Sequence, residues 1–148
     1  METDFASVWS RVTGIGSAED ELSRLRRWLG EEWAGIRADE ALLGRRLPPS
    51  VRRILSQIFT QEKMQFRRLQ TLYFLRTGDV YIPSTPTGES RLSALNALRE
   101  RYASILTQAE SYRQCREGAR DLTGLCAELA AEKQMQASRL RQLVGSLL

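Results

Sequence analysis

The chain has 148 residues, of which 42% are hydrophobic and 27% charged, with a formal net charge of +4. These values suit one globular domain large enough for a real core, and no apolar run approaches the roughly 20 residues a membrane-spanning helix needs. The chain contains no histidine, which excludes Ser-His-Asp and Cys-His catalysis and every imidazole-dependent metal site.

The first residues, Met1 to Asp4, are acidic and lead into no long apolar core, so no secretory signal is expected and a cytoplasmic location is the simplest reading. Residues 1–17 read as an N-terminal amphipathic segment. Asp4 would cap a short helix carrying Phe5, Val8, Trp9 and Val12 on one face, broken at Gly14 and Gly16. Residues 18–148 read as a four-helix bundle. Its first helix is expected over residues 18–46, capped by Ser17 and stopped by Leu47-Pro48-Pro49. The second begins after Ser50, or takes Pro49 into its first turn, and ends at Thr77-Gly78. So short a connection makes these two helices antiparallel neighbours.

Residues 79–89 carry two prolines, a glycine and several hydroxyl side chains, and predict a loop. Fully extended, it spans about 35–40 Å, close to the length of one bundle helix. Residues 90–117 predict a third helix closed by Gly118; a fourth starts at Asp121 as N-cap and runs to Val144, with Gly145 at its end. Short turn, long crossover, short turn predicts an all-α bundle of two helix hairpins joined by a crossover loop. The only strand signal, Val80-Tyr81-Ile82, is too short and runs into Pro83.

Two stripes repeat along the chain. Ile58, Glu62, Gln65, Leu69 and Leu72 recur 71 residues later as Leu129, Lys133, Gln136, Leu140 and Leu143. Leu22, Leu25, Leu29, Glu32, Ile36 and Asp39 recur 73 residues later as Leu95, Leu98, Tyr102, Ile105, Ala109 and Tyr112. Steps of three and four keep each stripe on one helical face, so a duplicated hairpin with polar residues at matching depths is the economical explanation.

These positions carry a resemblance. The chain over about residues 18–144 resembles a ferritin-like protein of the rubrerythrin-type diiron class, and residues 62–79, EKMQFRRLQTLYFLRTGD, are similar to the second helix of bacterial members. In that family, helices 1 and 3 each supply a Glu, and helices 2 and 4 each supply Glu-x-x-His, which hold two iron or manganese ions. Carried over, the ligand positions fall on Glu32, Glu62, Gln65, Ile105, Lys133 and Gln136. Only the two glutamates match. An amide is a poor ligand for these metals and isoleucine is none, so the resemblance implies a vestigial site with no metal or other cofactor expected.

Lys133 suggests what stands in for the metal. Two carboxylates aimed into a core repel one another unless a cation joins them. The expectation is that the Lys133 ammonium sits between Glu32 and Glu62, with Gln65 and Gln136 completing the hydrogen bonds and Ile105 closing the fourth wall. In one alternative Lys133 reaches to solvent and the glutamates are partly wet. In another, a rotated fourth helix brings Glu132 inward, and Glu32, Glu62 and Glu132 form a weak iron or manganese site in a residual oxidoreductase.

Three features bear on partners. Trp28, Trp33, Phe66, Tyr73 and Phe74 lie beside the inward stripes. They read either as an apolar surface for a homodimer or protein partner or as part of a wide core. The bases are 20 Arg and two Lys, but pairs such as Arg26-Arg27 and Arg67-Arg68 are interleaved with acids, so nucleic-acid binding is a minor alternative to solvated helix faces. Cys115 and Cys126 flank the turn near Arg120 without a CxxC motif and read as two reduced, partly buried thiols.

Overall fold

Proline and glycine mark some helix ends, and side chains mark others. In the computed structural model, which describes residues 15–84 and 92–147, the helices are α1 (Ile15–Leu43), α2 (Pro49–Thr77), α3 (Ala94–Arg113) and α4 (Arg120–Ser146). No strand occurs among the described residues. The segment carrying Phe5, Val8, Trp9 and Val12, with its break at Gly14, lies outside them.

Helix α2 has the expected ends. Pro49 occupies its first turn, and Gly78 closes it in the left-handed region at φ 75°, donating its N–H to the Phe74 carbonyl at 2.8 Å. Helix α1 differs at both ends from residues 18–46: it takes in Gly16 and stops at Leu43. Arg52, reaching back from α2, donates to the Leu43 and Arg45 carbonyls at 2.7 and 2.6 Å, which satisfies acceptors that a longer helix would have used internally. Helix α3 is shorter than residues 90–117. The Ser93 hydroxyl accepts from the Asn96 N–H at 3.2 Å, and the helix yields to a turn after Arg113, so Gly118 (φ 131°) shapes that turn and closes no helix. Helix α4 starts one residue before Asp121, with Ala119 in the capping position, and continues through Gly145.

Side-chain pairs give the packing. Arg76 meets Glu21, and Arg26 meets Tyr73, so α1 and α2 are antiparallel. Trp28 Nε1 donates to Ser111 at 2.9 Å while Arg101 reaches Asp39, so α1 and α3 are antiparallel. Gln65 pairs with Glu132 and Arg68 with Glu128, which makes α2 and α4 antiparallel. Helices α1 and α4 are therefore diagonal, as are α2 and α3. Two successive helices on a parallel diagonal need a connection running the length of the bundle. Tyr81 in that crossover packs edge-on against Tyr73 and Phe66, at centroid distances of 5.8 and 6.4 Å.

The core has two apolar halves. Leu25, Trp28, Leu29, Leu69, Leu72, Tyr112, Leu122 and Leu129 fill the half nearest the α3–α4 turn. Leu42, Val51, Leu55, Ile58, Leu98, Ile105, Leu140 and Leu143 fill the other. Glu32, Asp39, Glu62, Gln65, Arg101, Gln108, Lys133 and Gln136 are buried as well. So many buried polar groups require partners.

Candidate functional site

The duplicated stripes bring Glu32 of α1, Glu62 of α2 and Lys133 of α4 together in the core. All three side chains are 0% exposed, with Lys133 Nζ 2.8 Å from Glu32 Oε2 and 3.8 Å from Glu62 Oε2. Lys133 does not reach solvent. Its ammonium crosses the α1–α4 diagonal and lies against both carboxylates. Tyr112 donates its hydroxyl to the second Glu32 oxygen at 2.7 Å, so one cation and one neutral donor hold that carboxylate.

A second cation was not anticipated from the sequence. Arg101 of α3 spans the other diagonal, placing Nη2 2.7 Å from Glu62 Oε2 and Nε 2.8 Å from Asp39 Oδ1. Its second bond to Asp39, at 3.3 Å, makes that contact bidentate. Gly35 makes the approach possible. A Cβ there would lie 2.8 Å from Arg101 Nη2 and 3.0 Å from Glu62 Oε2, inside van der Waals contact. Glycine at this one α1 position lets the guanidinium lie against the helix backbone.

Three carboxyls thus share two cations, leaving one negative charge in excess if all ionise. Burial is the largest influence on Glu62 and pushes it up to about 8; Arg101 opposes this, while the adjacent Asp39 carboxylate adds to it. A proton on Glu62 brings the cluster close to neutrality near pH 7. Burial also raises Glu32, with Lys133 opposing. Tyr112 is raised by burial and by the Glu32 carboxylate, so its hydroxyl remains a donor.

The two glutamines do not complete this cluster, contrary to expectation. Gln65 Nε2 donates to Glu132 at 3.0 Å, and Gln136 Nε2 donates to Gln61 at 3.2 Å. Both bonds link α2 with α4, and the two pairs are related by the 71-residue offset (65 to 136, 61 to 132). The 71-residue repeat of the stripes thus recurs in these contacts. Ile105 stays hydrocarbon, fully buried in the second apolar half. Glu132 stays on the flank, bound by Arg68 at 2.5 Å and by Gln65, and does not join Glu32 and Glu62. Among the described residues, no group of three or more His, Cys, Asp or Glu side chains is placed to hold a metal ion.

The iron or manganese implied by the resemblance does not fit this residue set. Lys133 brings a positive charge within 3.8 Å of both glutamates, and Ile105 offers no lone pair where a carboxylate is required. What the arrangement supplies is fixed opposite charges that tie all four helices together.

The aromatic residues divide differently from the surface reading. Trp28, Phe66 and Tyr73 are buried, and Trp33 packs on Phe66 at 5.6 Å. Phe74 alone of the five is exposed. The apolar surface instead combines Phe74 (49% exposed) with Leu75 (66%), Val80 (67%) and Ile82 (84%), at the end of α2 and the start of the crossover. Several arginines are engaged: Arg68 with Glu128 and Glu132, Arg76 with Glu21 and Asp121, and Arg52 with backbone carbonyls. No helix is long and apolar enough to cross a membrane among the described residues.

No protein-family model matches the chain, and no curated protein matches it. Its fold is similar to the crystal structure of a conserved hypothetical protein, Rv2844, from Mycobacterium tuberculosis, with a TM-score of 0.71 at 20% sequence identity over 86% of this chain and 98% of that one. At that identity the likeness speaks to the fold alone.

Proposed function

We propose that this chain is a non-catalytic ferritin-like, rubrerythrin-related protein in which a buried ion-pair layer stands where relatives carry a diiron centre, and that it serves a structural or protein-interaction role. The observation that carries this reading is the Lys133 ammonium, fully buried and 2.8 Å from Glu32, at a position where the resemblance implies a metal-ligating glutamate. The one-crossover topology and the paired Gln65 and Gln136 contacts, repeated at one offset, support the same ancestry. The exposed Phe74, Leu75, Val80 and Ile82 support a contact surface for a second copy or another protein.

The test is peroxide consumption by the purified chain, with and without added Fe(II). No rate above that of Fe(II) alone is expected. Protein-dependent turnover that disappears in Glu32→Ala would overturn the non-catalytic reading and revive the oxidoreductase alternative.

A further inference from the structure

Outside the ionic layer, the fold brings the chain's two cysteines together. Cys115 follows the last turn of α3, where its N–H donates to the Tyr112 carbonyl at 3.1 Å, and Cys126 lies in α4 beyond the tight α3–α4 turn. Both thiols are free and buried in the same apolar half of the core, on either side of that turn. Their surroundings differ. Arg24 of α1 places Nη1 3.8 Å from Cys115 Sγ. A cleft of about 450 Å³ opens onto Cys115, lined also by Tyr112, Arg113, Arg116 and Thr123. Cys126 is 1% exposed and does not line that cleft.

We propose that Cys115 and Cys126 form a dithiol site that reacts with low-molecular-weight disulfides and closes into an intramolecular disulfide across the α3–α4 turn. The asymmetry assigns the roles. A thiolate is the attacking species, and Cys115 lines the cleft while Cys126 does not, so an incoming disulfide meets Cys115 first and Cys115 attacks. Burial, followed by the neighbouring Cys115, pushes the Cys126 thiol up, which suits the thiol that acts second. In the first step the Cys115 sulfur bonds to one sulfur of RSSR, whose S–S bond breaks and releases RS⁻. In the second, Cys126 gives its proton to solvent and its sulfur attacks Sγ of Cys115, releasing the other RS⁻. Two protein thiols are oxidised by two electrons, and one small disulfide is reduced to two thiols. Arg116 at the cleft favours a small disulfide carrying carboxylates, such as oxidised glutathione, while Arg113 is already paired with Glu110.

The experiment treats the reduced full chain with oxidised glutathione, blocks remaining thiols by alkylation and maps the peptides by mass spectrometry. Wild type should yield a Cys115–Cys126 cross-linked peptide with no retained glutathione. Cys126→Ser should accumulate a mixed disulfide on Cys115, and Cys115→Ser should react at least about tenfold more slowly. Recovery of both cysteines alkylated in wild type, or equal glutathione capture by the two single variants, would overturn the proposal. The wild-type cross-link decides the matter even if a serine variant fails to fold.

Discussion

Replacing Lys133 with methionine removes the ammonium buried against Glu32 and Glu62 while nearly conserving side-chain length. Glu32 would keep the Tyr112 hydroxyl at 2.7 Å but lose its cation at 2.8 Å, with no solvent to replace it at 0% exposure. Breaking one side of such a buried pair costs about 3–5 kcal/mol, a third or more of the ~5–15 kcal/mol that holds a domain together. Urea unfolding followed by circular dichroism reads the loss directly. The diagnostic comparison is Lys133→Met with Glu32→Gln. The amide oxygen still accepts from Tyr112, no unpaired charge remains, and at least about 2 kcal/mol of the single variant's loss should return. A single variant within ~1 kcal/mol of wild type, or a double variant no better than the single, would refute the idea that Lys133 neutralises Glu32.

Glu62 sets a pH dependence whose sign follows from its raised value. The folded chain binds its proton more tightly than the unfolded chain, so this contribution is fully present below the ordinary value of 4.5 and is lost as pH rises through about 8. Glu62→Gln mimics the protonated form, so it should be close to neutral at low pH and should flatten the decline in stability towards pH 9, as measured by urea midpoints across that range. Arg101→Lys should be destabilising by about 2–4 kcal/mol in the same assay, because an ammonium cannot bridge Asp39 and Glu62 as the guanidinium fork does. Gly35→Ala should lower the thermal midpoint even though alanine favours helix by about 1 kcal/mol, since its Cβ would meet Arg101 at 2.8 Å. Gly124→Ala, with nothing within 4 Å of the added Cβ, should raise it.

The sequence carried the bundle and half of the ionic layer. Repeated three-and-four spacing placed Glu32, Glu62 and Lys133 on inward faces, and it left open whether the Lys133 ammonium stays inside or reaches solvent. Arg101 escaped because the third stripe can step through Leu98, Tyr102 and Ile105 or through Leu98, Arg101 and Ile105, and apolar preference selected Tyr102. In the structure Arg101 is buried and Tyr102 only partly so. The unmatched carboxylate of Asp39, one turn beyond Gly35 on the same α1 face, was the available signal for a second cation. Helix ends were legible where backbone chemistry dictates them, as at Pro49 and Gly78 of α2. They were not legible where a distant side chain decides, as where Arg52 donates to the carbonyls at the end of α1. For Gln65 and Gln136, spacing fixes the depth in the bundle but not the partner on the neighbouring helix.

The most direct measurement is the metal content of the freshly purified chain, expressed without a metal-binding tag in medium supplemented with iron and manganese. Elemental analysis should find each metal well below one ion per chain, because Lys133 supplies the charge that a metal would. Near-stoichiometric iron, manganese or zinc, lost on substitution of Glu32 or Glu62, would contradict the account.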